Sequence, residues 1–144
     1  MWSDTLLAAE RTHLIRLLLW AAASTLIGTG IVATITVRRS PAPILLWFGI
    51  HSLGWGLVEL MLATIGFQRL AMRDVSSATR LDRFTWFTAG LDAGITAVGV
   101  VVVMVTWFLG RRLGAVGAGL GIVVQGLGLL VITLTFASLL GRLV

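Results

Sequence analysis

The sequence has no cysteine, no lysine and few charged residues of either sign. Without cysteine the chain cannot form disulfides, offer a thiolate nucleophile or build a cysteine-based metal site. Charged residues make up 12% of the 144 residues, whereas hydrophobic residues make up 58%. A soluble globular domain carries about a quarter charged residues, so this composition excludes one and predicts an integral membrane protein.

All 11 basic residues are arginines, and the formal net charge is +5. We attribute the exclusive use of arginine to genomic base composition. The arginines lie at the ends of apolar runs rather than in one patch, which favours contact with bilayer surfaces and not with nucleic acid. Membrane lipids are therefore the expected surroundings of the chain.

The hydrophobic residues form four runs, each longer than the roughly 20 residues that a helix needs to cross a bilayer core. Short basic turns separate the first two runs and the last two, and a polar linker over 68–83 is expected to extend a neighbouring helix. The sequence predicts an all-α fold, an integral membrane four-helix antiparallel bundle that forms a single transmembrane domain over residues 1–144. The expected helices cover residues 14–37, 44–67, 84–109 and 113–140, after a short interfacial segment over 2–13.

The distribution of arginine predicts the orientation of the chain. Seven arginines lie on the side of the N-terminus and four on the opposite side. By the positive-inside rule, both termini are expected in the cytoplasm. The first group is Arg11, Arg16, Arg69, Arg73, Arg80, Arg83 and Arg142, and the second is Arg38, Arg39, Arg111 and Arg112.

Two carboxylic acids, Glu59 and Asp92, lie inside predicted spans, where an acid faces protein or water rather than lipid. Each is eight residues from the cytoplasmic end of its predicted helix, a depth of about 12 Å at 1.5 Å per residue. Two like charges in one dry site do not both ionise, so at least one acid should carry a proton. The pair is either hydrogen-bonded structural glue or a functional proton site.

A buried polar cluster is expected around the two acids. Thr85, Thr88, Thr96 and Gly99 lie four or seven residues from Asp92 and so share its helix face. Trp55, one turn before Glu59, is expected to donate its indole N–H to that carboxyl. The predicted cluster consists of Glu59, Asp92, Thr88, Thr96, Trp55 and Gln125, whereas Trp2, Trp20, Trp47, Trp86 and Trp107 are expected to anchor helix ends at the membrane surface.

Glycines spaced three or four residues apart predict a seam where helices approach closely. Gly90 and Gly94 on the third helix, beside Asp92, suggest that the rest of the chain packs against that helix. The fourth helix carries such a face as well, and this face has more glycine than one contact needs. Three further contacts of this face therefore stay as alternatives: a second subunit, a lipid tail or a planar cofactor. The predicted seam residues are Gly90, Gly94, Gly117, Gly121 and Gly128.

His51 lies in the second helix without another histidine at its depth, which argues against a haem with two histidine ligands. A hydrogen bond to a neighbouring helix is the simpler interpretation of His51. A single axial ligand to a haem or a chlorophyll-type pigment is the alternative. No grouping of His, Asp and Glu has the spacing of a metal site, and no nucleophile elbow or phosphate loop is present. We therefore expect no enzyme activity, no metal and no obligatory cofactor.

Three segments of the sequence carry a resemblance to a known family. They are residues 55–59 with 63 and 66–67, residues 89–94, and residues 125–127 with 129–131. They resemble an uncharacterised family of small four-helix bacterial membrane proteins, a domain of unknown function. The chain departs from that family at Ser52, Gly56 and Glu59, where the family carries asparagines, and at Thr133, near which it carries an acid. The resemblance implies a four-helix fold and the bacterial inner membrane, and it implies no activity.

Two functions of different classes fit these features. The leading hypothesis is a non-enzymatic membrane protein that acts by association, as a homo-oligomer or as an accessory subunit of a membrane complex. It rests on the abundant small-residue faces and the absence of a catalytic constellation. The alternative is a small proton-coupled transporter that uses Glu59 and Asp92. In that case a polar cavity should lead from one surface towards the acids.

Overall fold

The computed structural model of the chain describes residues 2–143 and contains four helices. They are α1 (Trp2–Arg38), α2 (Pro43–Gln68), α3 (Val75–Phe108) and α4 (Leu113–Leu140). Helix accounts for 88% of the structure, and residues 2–143 contain no strand. The predicted all-α fold with four helices is confirmed. Each helix is long and apolar enough to cross a membrane.

The N-terminal residues 2–13 continue α1, so the prediction of a separate interfacial segment was wrong. Leu6 is 1% exposed and packs with Ala78 of α3 and with Phe136 and Leu140 of α4. The 37 residues of α1 span about 55 Å at 1.5 Å per residue, well beyond a bilayer core of about 30 Å. We call the end of the bundle that contains residues 2–13, 69–83 and 136–143 the terminal end.

Asp74 fixes the start of α3, nine residues earlier than residue 84, where the hydrophobic run begins. Its carboxylate accepts hydrogen bonds from the amide of Ser77 at 2.9 Å and from the hydroxyls of Ser76 and Ser77. These hydrogen bonds lower the pKa of Asp74 to about 2. The folded pKa lies below the ordinary one, so the cap stabilises the helix fully above the ordinary pKa and loses this effect as pH falls through about 2.

Helix α4, and not α3, is the element around which the others are arranged. It packs against all three other helices, whereas α3 approaches only α4 closely. The expectation that the chain packs around the third helix was therefore wrong. Glycines explain the role of α4, because bare backbone on several faces lets each neighbour approach. Gly117 lies directly against the backbone of Ile44 in α2.

Both termini lie at the same end of the bundle. The indole N–H of Trp2 donates to the carbonyl of Leu143 at 2.6 Å. The two short turns at the opposite end each place one arginine in the left-handed region, Arg39 with φ 48° and Arg111 with φ 49°. Gly110, with φ 142°, supplies a backbone conformation that other residues rarely adopt.

Candidate functional site: two buried acids and a cavity at the terminal end

Glu59 is the most completely buried acid in the chain, with 1% of its surface exposed. Neither of its carboxyl oxygens has a hydrogen-bond partner among the described residues. Asp92 in α3 is buried as well, with 4% of its surface exposed. The structure thus buries both of the acids that the sequence placed inside the bundle.

Asp92 is held by α4. Its Oδ2 atom accepts a hydrogen bond of 2.8 Å from the hydroxyl of Thr133, and the two side chains are 4% and 5% exposed. Thr133 was not among the predicted cluster residues. Two signals pointed to it: it lies two turns after Gln125 on the same helix, and the resemblance placed a polar group near it.

Gln125 bonds to α1 and to neither acid. Its Oε1 atom accepts hydrogen bonds from the indole N–H of Trp20 at 2.8 Å and from the hydroxyl of Ser24 at 3.4 Å. Trp20 is therefore an interhelical donor, and its assignment to the membrane surface was wrong. Ser24 and Gln125, both buried, tie α1 to α4.

The remaining predicted partners do not reach the carboxyl groups. Thr88 donates to the carbonyl of Phe84, and Thr96 donates to the backbone carbonyl of Asp92. The expected bond from Trp55 to Glu59 was wrong, because the Glu59 oxygens are unpartnered and Trp55 lines a groove on the outside of the bundle. Thr88 and Thr96 thus donate their hydroxyl protons to the backbone one turn earlier, so these protons are not available to a carboxyl group.

A partly enclosed cavity of about 300 Å³ lies at the terminal end. Thr133 forms part of its wall and also donates to Asp92, so the cavity reaches the hydrogen-bond partner of Asp92, although neither acid lines it. Its polar lining comes from Glu10, His13, Thr85, Thr88 and Thr133, and its apolar lining from Leu14, Leu17, Leu62, Leu81, Phe84 and Phe136.

An ion pair holds the linker between α2 and α3 against this cavity. Arg73 donates from Nε to Oε2 of Glu10 at 2.8 Å and from Nη2 to Oε1 at 2.6 Å. The hydrogen bond to Glu10 raises the pKa of Arg73 above its ordinary value. Next to the pair, His13 stacks on Phe136 with ring centres 4.3 Å apart, and its Nδ1 atom is buried without a partner. The sequence analysis missed Glu10 and His13, because it assigned both to an interfacial segment.

The five glycines of the predicted seam divide into two faces that pack against other helices and one face that is open. Gly117 and Gly121 lie against α2, and Gly128 lies against the Trp20 ring of α1. Gly90 and Gly94 do not form the predicted seam within the chain, because a Cβ added at either would meet nothing within 4 Å; their use against a second chain stays a prediction. The contact between α3 and α4 instead uses Gly99, Gly119 and Gly126.

An open groove separates α2 from α3. Within residues 2–143, no Cα atom of α2 lies within 8 Å of one in α3. The groove has a volume of about 530 Å³ and is lined by His51 and Trp55 on one side and by Gly90 and Gly94 on the other. The Nδ1 atom of His51 is buried without a hydrogen-bond partner, so the expected bond to a neighbouring helix was wrong. An axial-ligand role for His51 stays a prediction.

The geometry defines a class of protein: a four-helix chain of membrane-length helices with two buried acids near its centre. The chain belongs to a family of unknown function (DUF6992), whose model matches residues 16–134. This match confirms the resemblance to an uncharacterised four-helix family. It includes Glu59, Asp92 and Thr133 but leaves Glu10 and His13 outside. No curated protein and no solved structure matches the chain.

Proposed function

We propose that the protein is an integral membrane protein of the bacterial inner membrane and acts as a small proton-coupled carrier through Glu59 and Asp92. In this proposal the four helices cross the membrane as an antiparallel bundle, and the arginine distribution favours a cytoplasmic terminal end. The cavity beside the ion pair then opens from the cytoplasmic side towards Thr133, the partner of Asp92.

The observation that carries the proposal is the unpartnered, fully buried carboxyl of Glu59. A buried polar group without a hydrogen bond lowers the free energy of unfolding, so Glu59 does not stabilise the packing of the helices through a hydrogen bond. An ionisable group at membrane depth is ordinarily part of an ion or proton pathway. Asp92 adds a second buried acid, and an acid that binds and releases a proton can couple proton movement to the movement of a substrate.

Dye-loaded liposomes test this proposal. The purified protein is reconstituted with a trapped pH-sensitive dye, and small organic and inorganic cations are added outside one at a time. At least one cation should change the internal pH, because a coupled carrier moves a proton with or against its substrate. Asp92→Asn and Glu59→Gln should reduce this change to the level of protein-free liposomes, since an amide does not titrate.

Asp74→Asn is the matched control, because it makes the same chemical change at an exposed carboxylate and asparagine still caps a helix. It should leave the response intact. A response that survives both Asp92→Asn and Glu59→Gln would contradict the proposal. So would the absence of any response from the wild-type protein across the cations tested.

We propose association with a second copy of the chain as the second candidate function, because α2 and α3 leave an open groove. Exposed Gly90 and Gly94 offer the spacing at which membrane helices approach closely. Sedimentation in detergent should detect a dimer, and Gly94→Leu should lower the dimer fraction. The fold of the single chain should be unaffected, since nothing lies within 4 Å of the added Cβ. A wild-type monomer, or a dimer that tolerates Gly94→Leu, would contradict association through this face.

A further inference from the structure

We propose that the cavity at the terminal end binds a small apolar cation, whose guanidinium or ammonium group takes the place of Arg73 on Glu10. This inference rests on the proposed carrier function and deepens it, because it names the class of substrate. Arg73 is then a built-in competitor that holds the site closed when no cation is bound.

One residue of the ion pair, Glu10, lies in a helix, and the other, Arg73, lies in a linker. Glu10 lies in the third turn of α1 with its side chain 10% exposed, whereas Arg73 belongs to the linker over 69–74 and its side chain is 26% exposed. Glu10 therefore belongs to the rigid wall of the cavity. Arg73 reaches it from a segment without regular secondary structure. Movement of this linker would free the carboxylate without unfolding a helix.

The chemistry of the contact selects a cation. Among the residues that line the cavity, Glu10 is the only acid, and no arginine is among them. If Arg73 left and nothing replaced it, a buried carboxylate would stand unpaired, at a large cost in free energy. A neutral molecule therefore cannot displace Arg73, whereas a planar cation can reproduce the same two charge-assisted hydrogen bonds.

The rest of the cavity suits an apolar body behind the cationic group. Its volume of about 300 Å³ lies at the lower end of the range of small-molecule sites. The stacked rings of His13 and Phe136 and the side chain of Phe84 provide apolar surface in the same cavity as Glu10.

Calorimetry in detergent at neutral pH, with no gradient present, tests the inference with phenylguanidinium as the probe. Phenylurea is the matched neutral probe, because it has a similar shape and two N–H donors but no charge. The wild-type protein should bind phenylguanidinium and not phenylurea. Arg73→Gln should tighten phenylguanidinium binding at least about fivefold, because it removes the competitor. Glu10→Gln should weaken this binding at least about tenfold, because it removes the charge that recognises the cation.

Unchanged or weaker binding by Arg73→Gln would overturn the inference, as would wild-type affinity in Glu10→Gln. If Glu10→Gln does not fold, the thermal shift of Arg73→Gln decides: phenylguanidinium should raise its melting temperature more than that of the wild type. Binding of a short-chain phosphatidylethanolamine without binding of phenylguanidinium would assign the site to a lipid head group and overturn the soluble cation.

The binding measurement and the proton measurement can fail separately. If phenylguanidinium binds as expected but moves no proton in liposomes, the carrier function fails and the cation site stands. If phenylguanidinium does not bind while another cation changes the internal pH of the liposomes, the proposed carrier function is supported and the proposed class of substrate is wrong.

Discussion

Gly121→Leu is expected to lower the free energy of unfolding in detergent by about 1–3 kcal/mol. A Cβ added at Gly121 would lie 2.8 Å from Cβ of His51, on a rigid part of that side chain. The two helices would therefore have to separate to admit a leucine. The loss should appear even though leucine is a better helix former than glycine. Thermal unfolding followed by circular dichroism measures it.

Gly30→Leu is the matched control, since Gly30 lies in α1 and nothing is within 4 Å of an added Cβ. This variant should keep or slightly increase the stability of the protein, because only the helix-propensity term changes. Equal melting temperatures for Gly121→Leu and the wild type would mean that α4 does not pack on α2 through this face.

Glu59→Met is expected to raise the free energy of unfolding by about 1–3 kcal/mol, the usual cost of a buried polar group without a partner. Methionine has a similar length and adapts its shape, so it fills the space without the desolvation cost. The same variant should lose any proton-coupled response in liposomes. A gain in stability together with a loss of activity is typical of a group retained for function.

Glu10→Met makes the identical substitution at the other buried glutamate and should have the opposite effect. It leaves the Arg73 guanidinium without its carboxylate partner, so the melting temperature should fall. If Glu59→Met lowered stability as much as Glu10→Met does, Glu59 would have a stabilising partner. The argument from its unpaired oxygens would then be wrong.

The sequence by itself determined the features that depend on local composition. Four hydrophobic runs predicted four helices, because an apolar run of that length has to satisfy its backbone hydrogen bonds internally. The acids Glu59 and Asp92 were placed inside the bundle for a similar reason, since a carboxyl group is too costly in lipid. Distance along the chain from the helix ends then placed the two acids at the same depth.

The helix ends were predicted less well, because hydropathy detects only the apolar part of a helix. The linker was expected to extend a neighbouring helix, and its residues 75–83 do begin α3. Residues 2–13, in contrast, were assigned to the membrane surface, although Leu6 is buried in the bundle. Because residues 2–13 were assigned to the membrane surface, their packing at the terminal end was not predicted. The cavity and the ion pair of Glu10 with Arg73 were not predicted for the same reason.

Only the tertiary structure decided which side chains meet across helices. Helical periodicity places Gly90, Gly94 and Asp92 on faces of α3, but it does not say which neighbour lies opposite each face. The contacts that matter join residues far apart in sequence: Asp92 with Thr133, Trp20 with Gln125, and Glu10 with Arg73. They depend on how four helices of similar hydropathy pack together. The spacing of Gly117, Gly121 and Gly128 predicted a packing face on α4, but only the tertiary structure shows that the first two meet α2 and the third meets α1.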